Sequence, residues 1–369
     1  MRLLQKECGK CLRHPFLWIV CITFGLFQFL SIYTYVGNAG MRKELRQMHV
    51  AVTDEETASP EYESAYADYK KTYGGMYDTL DMHKILEQKE KKSGYEPQGV
   101  WGSWIVRNYD RLQKRVEQIR KTGEGTYAFY PGNWYKLHTT LYGKLWKKLI
   151  LQTAVLMILS MLYLMDYERI YKTQDLVLAT TTGKKMMEKK MLAGTLCGLF
   201  YAGLLTVFTL LVFFAAVPFQ NLWHVPVAAC MVAEPRLQMM YPFVTFWWLE
   251  QWRYFLLALV VLVGLLGIVA AVTAAVQLFL QNSYFSFAVL GLLFMGAYLL
   301  AYVQMGNVWD LIREFFNPTV LYATSGGWFM ENDLCLSFAG NEFAVLFCSG
   351  TAAVCLMAVG KRRYHRLEV

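Results

Sequence analysis

The sequence predicts an all-α integral membrane protein, a six-span helical bundle with a small helical extracytoplasmic domain. The chain has 369 residues, is 56% hydrophobic and has a mean hydropathy of +0.27. Apolar runs of about 20 residues, the length that crosses the hydrocarbon core, recur along it. Charged residues make up only 17% of the chain and are concentrated between these runs.

The six predicted spans alternate with polar segments. They cover residues 15–36, 149–165, 191–217, 254–281, 284–303 and 343–360. The first run follows a basic segment and so also has features of a secretory signal, but it is longer than a typical signal core. We therefore expect a retained span. An even number of spans places both termini on one side of the membrane.

The distribution of basic residues predicts which side that is. Predicted inner segments contain Arg2, Lys6, Lys10, Arg13, Arg169, Lys172, Lys184, Lys185, Lys189, Lys190, Lys361, Arg362, Arg363 and Arg366. The short outer loops contain little beyond Arg236, Arg253 and Arg313. By the positive-inside rule, both termini are cytoplasmic, and we expect a multi-pass protein of the bacterial cell membrane. The net charge of +8 is thus explained by topology, and no nucleic-acid partner is expected.

These features divide the chain into three parts. Residues 1–37 form a basic segment and the first span, and residues 38–145 form an extracytoplasmic helical domain. Residues 146–369 form a five-span bundle. The bundle includes a cytoplasmic loop at 166–190 and outer interfacial helices within 305–342, where one helix is expected in the interface or as a re-entrant segment.

Two apolar stripes at helical spacing occur in the extracytoplasmic domain. They are Tyr62, Tyr66, Tyr69 and Tyr73, and then Tyr109, Leu112, Val116 and Ile119. We interpret both as helix faces that form the domain core, although a tyrosine stripe could also bind a ligand.

Small residues at helical spacing occur within the spans. They are Gly194, Gly198 and Ala202 in the third span, and Gly267, Ala271 and Ala275 in the fourth. Small side chains let helix backbones approach closely. Packing within one bundle is the favoured interpretation, and a subunit interface is the alternative. Ionisable residues are almost absent from the spans, which argues against a proton- or ion-coupled carrier.

No catalytic, cofactor-binding or metal-binding residue is predicted. Cys8 and Cys11 form a C-x-x-C pair, but no second ligand pair lies nearby in the sequence to complete a zinc site. Glu331 and Asp333 lie close together without an accompanying His or Ser motif. The chain also lacks the glycine-rich loop with Lys and Ser or Thr that binds nucleotide phosphates.

Cys230 and Cys335 both fall in predicted outer loops and could form a disulfide. The sequence does not establish whether their Cα atoms come close enough for that bond.

The inner loop between the second and third spans has a defined order of residue types. It begins acidic, has an apolar patch, breaks at a run of threonines and continues as a basic helix. The residues that carry this order are Glu168, Thr173, Asp175, Leu176, Val177, Leu178, Thr180, Lys184, Lys190 and Ala193-Gly194. From its chemistry alone, this element could lie on anionic lipid.

The loop resembles the cytoplasmic coupling-helix region of ABC transporter permeases of the type 2 export family. Two positions depart from that pattern. The usual glycine is Lys172, and the proline often found at the break is replaced by the threonines of 180–182. The wider plan also agrees with the resemblance, including the domain after the first span and the short outer helices between the fifth and sixth.

The resemblance implies a permease subunit of an ATP-driven exporter of an amphipathic or hydrophobic substrate. A second permease subunit, identical or different, would pair with it, and a separate ATP-binding subunit would hold ATP and magnesium. The residues implied to contact that ATPase are Glu168, Thr173, Asp175, Leu176, Val177, Leu178, Lys184 and Lys185.

Two other classes of function are considered. A membrane receptor or scaffold would sense a ligand through residues 38–145 and transport nothing. An integral membrane enzyme acting on lipid would need a polar catalytic cluster, and no such cluster can be assembled from the sequence.

Overall fold

The computed structural model describes residues 2–38, 64, 67, 71, 75–93, 99–126, 137–173, 183–217, 219, 222–231, 243–303, 308–331 and 338–367. The regular structure of these residues is helical. Two isolated β-bridges join Pro226 to Glu250 and Thr245 to Met330.

The helices are numbered in chain order. They are α1 (Arg2–Leu12), α2 (Pro15–Gly37), α3 (Met82–Ser93), α4 (Gly99–Thr122), α5 (Trp146–Met165), α6 (Gly183–Ala216), α7 (Val227–Met231), α8 (Gln251–Leu280), α9 (Ser283–Ala301), α10 (Val308–Phe316), α11 (Thr319–Ala323) and α12 (Asn341–Leu367). A π-helical segment, Thr139–Leu145, runs directly into α5.

Six helices are long and apolar enough to cross a membrane, which confirms the predicted all-α, six-span fold. These spans are Pro15–Gly37, Thr139–Met165, Met186–Ala216, Gln251–Leu280, Ser283–Ala301 and Asn341–Tyr364.

Both termini lie at one end of the bundle. Lys10 of α1 pairs with Glu168, which follows the second span. Lys361, near the C-terminus, pairs with Glu188 at the start of the third span. We call this the terminal end, and we call the opposite end, where α3 and α4 lie, the domain end.

The helix that contains the second span begins at Thr139, ten residues before the predicted apolar run at 149–165. Lys147 and Lys148 precede the apolar run and suggested a later start. In the structure they lie at the domain end of a continuous helix. The ammonium of Lys147 lies 5.2 Å from the centre of the Tyr322 ring, and Lys148 donates to Ser31 Oγ over 3.1 Å. The predicted domain of 38–145 therefore shares residues 139–145 with this helix.

The second span lies at the centre of the bundle, because two thirds of its most apolar stretch is buried, whereas the corresponding stretch of the fifth span is 17% buried. It packs against the first, third and fourth spans. One polar contact joins it to the first span, where the buried Gln28 Nε2 donates to Gln152 Oε1 over 2.8 Å. Such an amide pair stabilises helix association in a medium that offers no competing water.

Glycines of the third span lie directly against methionines of the second. A Cβ on Gly194 would lie 3.1 Å from the Cα of Met161, and one on Gly198 would lie 3.1 Å from the Cα of Met157. This stripe therefore packs within the chain, as the sequence favoured. A Cβ on Gly267 in the fourth span would meet no atom within 4 Å, so a subunit interface stays open for that stripe.

The described part of the predicted extracytoplasmic domain contains α3 and α4, packed face to face. Its core includes the predicted stripe of Tyr109, Leu112, Val116 and Ile119, all buried. The tyrosine stripe at 62–73 lies outside the described residues.

Polar contacts hold this domain together and fix it to the loops at the domain end. Arg115 donates to both carboxylate oxygens of Glu124, over 2.6 and 2.7 Å, and to the backbone oxygen of Thr245 over 3.1 Å. Lys89 forms an ion pair with Glu331. Tyr77 Oη donates to the backbone oxygen of Phe243 over 2.9 Å. The described helices of the domain therefore pack against the loops of the bundle and are not separate from it.

The segment between the fifth and sixth spans folds back onto the bundle. Amphipathic α10 packs against α12, where Ser349 Oγ donates to the backbone oxygen of Phe315. Asn317 ends α10 and donates to the backbone oxygen of Ala297 over 2.7 Å. Trp328 is fully buried, and a Cβ on Gly326 would lie 3.0 Å from the Cα of Gly143. Helices are therefore present in the described part of this segment, and their predicted position at the outer interface stays a prediction.

We predict that Gly198→Ala destabilises the bundle by about 1–3 kcal/mol, because the added methyl group overlaps a close-packed backbone and methionine. Gly267→Ala is the matched control and should leave the thermal midpoint in detergent unchanged or slightly raised. Equal midpoints for the two variants would show that the third span does not pack as described.

Candidate functional site

The predicted inner loop begins from an ordered base at the terminal end. After α5, a single helical turn, Tyr167–Ile170, is closed by Thr173 N, which donates to the backbone oxygen of Glu168 over 2.8 Å. Lys172 within this closure has a φ of +55°, in the left-handed region. That is the position at which the resembled family usually has glycine, the residue that adopts such a φ without steric cost.

A buried carboxylate lies at the centre of this base. Glu168 is 5% exposed. Its Oε1 accepts from Lys10 Nζ of α1 over 3.0 Å, and its Oε2 is paired with Lys190 of α6. Lys10 Nζ also contacts Glu7 Oε1 at 2.7 Å. We call Glu7, Lys10, Glu168 and Lys190 the ionic cluster. Its two carboxylates and two ammonium groups balance in charge, as buried ions require.

A second contact attaches the same base to the turn between the fourth and fifth spans. Ser283 N donates to Asp166 Oδ2 over 3.3 Å, and Ser283 Oγ donates to the backbone oxygen of Leu162 over 3.2 Å. Asn282 caps α9 by accepting from the backbone N–H groups of Tyr284 and Phe285. The base is thus joined to α1, α6 and α9.

The structure describes only part of the predicted contact set. Glu168 and Thr173 lie in the base described above. Asp175, Leu176, Val177 and Leu178 lie outside the described residues. Lys184 and Lys185 lie in the first turn of α6, and their side chains are outside the description. The contact role of these residues stays a prediction.

The C-x-x-C pair of α1 lies against the third span, where Cys197 Sγ donates to the backbone oxygen of Cys8 at 3.8 Å. Burial, and to a smaller degree Cys197, raises the pKa of the Cys8 thiol to about 11, so it stays protonated at neutral pH. Within the described ranges, no group of three or more His, Cys, Asp or Glu side chains is arranged to hold a metal ion.

Cys230 is buried at the domain end, and its sulfur accepts from Gln251 Nε2 over 3.2 Å. Cys335 lies outside the described residues, so their proposed disulfide stays a prediction.

Sequence reasoning did not identify Glu7, Lys10, Asp166 or Ser283 as parts of the site. One signal was present in the sequence, since Glu7 is the only acidic residue before the first span. An acid within a basic segment suggests a specific partner, but the identity of that partner depends on tertiary packing.

No family model, curated protein or solved structure matches the chain.

We predict that Glu168→Gln destabilises the protein by about 3–5 kcal/mol, because the buried ammonium of Lys190 loses its counter-charge and Lys10 keeps only Glu7. The matched control is Glu188→Gln on α6, whose pair with Lys361 is about half exposed and should contribute less than about 1 kcal/mol. Thermal midpoints in one detergent compare the two. Similar small losses would mean that the ionic cluster is solvated.

We predict that Lys172→Gly raises the free energy of unfolding by up to about 1 kcal/mol, because glycine removes the Cβ strain of a left-handed residue. Lys172→Ala keeps the Cβ and should give no such gain. If both variants shift the midpoint equally, the effect comes from the lysine charge and not from the backbone.

Proposed function

We propose that this chain is the membrane-spanning subunit of an ATP-driven exporter that resembles the type 2 family of ABC permeases. Its terminal end faces the cytoplasm of a bacterial cell, where the inner loop docks on a separate ATP-binding subunit. A second permease subunit pairs with it, and the path between them carries an amphipathic or hydrophobic substrate.

The observation that carries the proposal is the attachment of Glu168. A loop that only sets topology needs no buried connection to other helices. This loop leaves from a base whose carboxylate pairs with both Lys10 and Lys190. A displacement of the loop by a docked ATPase is therefore transmitted to the first and third spans, which is what coupling requires.

The geometry at Lys172 also supports the proposal. A φ of +55° favours glycine, and the resembled family usually has glycine there. Lys172 therefore differs from the family's usual glycine in residue type, but its backbone has the left-handed conformation that glycine favours. The resemblance is strengthened at one of the two positions where the sequences differ.

The role of Glu168 differs in this proposal from the one implied by the resemblance. Its side chain faces the interior, so we assign it to anchoring the loop. Contact with the ATPase then falls to the loop beyond Thr173 and to the start of α6, where Lys184 and Lys185 supply positive charge against an acidic surface.

The spans support the proposed class of substrate. In the fourth and sixth spans the charged residues lie near the ends, at Arg253, Glu342 and Lys361, and those of the second span lie in its half toward the domain end. A charged cargo would leave its charge uncompensated between such helices, whereas an apolar or amphipathic one would not.

The test uses the full chain reconstituted in nanodiscs with a candidate ATPase, identified as a neighbouring gene product that carries a nucleotide-binding loop. We predict that the chain stimulates ATP hydrolysis and that Lys184→Glu/Lys185→Glu abolishes both binding and stimulation, because like charges then face each other. The control is Lys114→Glu/Lys121→Glu on α4, which makes the same charge change on exposed residues of the domain end. It should retain both.

Unchanged binding and stimulation in the Lys184→Glu/Lys185→Glu variant would overturn the assigned contact. A complex without any ATPase, together with a ligand bound by the extracytoplasmic domain, would favour the receptor interpretation instead.

A further inference from the structure

An open cleft lies at the terminal end between α1 and the end of the second span. Its volume is about 710 Å³. Basic residues of α1 and of the turn after it form one wall, and tyrosines form the other: Lys6, Lys10, Arg13, Tyr163, Tyr167 and Tyr171. We call this the terminal cleft. No acidic side chain lines it in the described part of the chain.

The terminal cleft has an excess of positive charge. Lys10 is balanced by the carboxylates of the ionic cluster, and its ammonium lies 4.5 Å from the centre of the Tyr167 ring. Lys6 and Arg13 are exposed and form no ion pair with the residues that the structure describes. Two cations therefore face the cleft without a counter-charge from these residues.

The other wall supplies ordered hydrogen-bonding groups. The Tyr163 and Tyr167 rings are perpendicular at 5.7 Å, and the Tyr167 and Tyr171 rings lie 4.5 Å apart. The His14 ring packs on Tyr163 at 4.2 Å, and its buried Nδ1 has no hydrogen-bond partner among the described residues. Hydroxyl and imidazole groups beside an Arg and a Lys are suited to bind phosphate oxygens.

The position of the cleft indicates what carries the phosphate. Pro15 lines the cleft and begins the first span, so the cleft lies where the apolar helix starts. Phe16 and Ile19 are 50% and 61% exposed on that helix, and Trp18 Nε1 donates to the backbone oxygen of Leu12, as in an interfacial tryptophan. A headgroup in the cleft therefore has acyl-chain surface directly beside it. A free anion would make no use of that surface.

We propose that the terminal cleft is a specific site for the phosphate headgroup of an anionic phospholipid. Lys6 and Arg13 bind the phosphate, and the tyrosine hydroxyls orient it. This inference does not depend on the proposed transport function, since it follows from the charge, aromatic wall and membrane position of the cleft.

The experiment is native mass spectrometry of the detergent-solubilised full chain, titrated with dioleoyl phosphatidylglycerol or dioleoyl phosphatidylcholine. We expect one saturable phosphatidylglycerol, bound at least about tenfold more tightly than phosphatidylcholine. Lys6→Gln/Arg13→Gln should weaken phosphatidylglycerol binding by about tenfold or more, because two charge-assisted hydrogen bonds are lost. Lys6→Arg/Arg13→Lys keeps both charges and should retain most of the affinity.

The matched control is Lys189→Gln/Arg362→Gln, which removes two exposed cations at the same end but outside the cleft. It should bind phosphatidylglycerol like the unaltered protein. Thermal midpoints confirm that each variant is folded. Equal losses in the two Gln variants would mean non-specific attraction and would overturn the proposal. Equal affinity for the two lipids, or displacement of the lipid by inorganic phosphate, would overturn it as well.

Discussion

The carboxylate of Glu168 lies between two ammonium groups from distant parts of the sequence, Lys10 and Lys190. Each ion is costly to bury alone, and each becomes acceptable only when the other elements are in place. The pairs therefore fix the position of α1 and the third span relative to the loop base, whatever their net contribution to stability. The shape of the loop base and of the terminal cleft depends on this arrangement.

Ion pairs stabilise the two ends of the bundle, and other interactions stabilise its centre. At the domain end, Arg115 with Glu124 and Lys89 with Glu331 repeat the use of buried ion pairs. Between the ends, close contact of Gly198 with Met157 and the amide pair of Gln28 and Gln152 replace charge. The difference follows from the lipid that surrounds the spans. Lipid provides no hydrophobic driving force for helix association, and a charged side chain within the spans costs free energy, so close packing and amide hydrogen bonds hold the centre together.

Length, hydropathy and periodicity were sufficient to predict the six spans, and the stripe from Tyr109 to Ile119 was correctly assigned to the domain core. They did not predict that the helix containing the second span begins before Lys147 and Lys148. The contacts that these lysines make with Tyr322 and Ser31 are tertiary, and the local sequence does not encode them. The loop pattern located Glu168 but not its orientation. Its partners Lys10 and Lys190 lie far from Glu168 in the sequence, and no local sequence pattern predicts these ion pairs.

Lys10 belongs to both the ionic cluster and the terminal cleft, and this shared residue links the two proposals. A phosphate in the cleft would draw Lys10 toward itself and weaken its pair with Glu168, since one ammonium cannot fully serve two anions. Binding free energies are reciprocal, so a loop position that loosens that pair would favour the lipid in turn. The anionic lipid content of the membrane would then bias the resting position of the loop base.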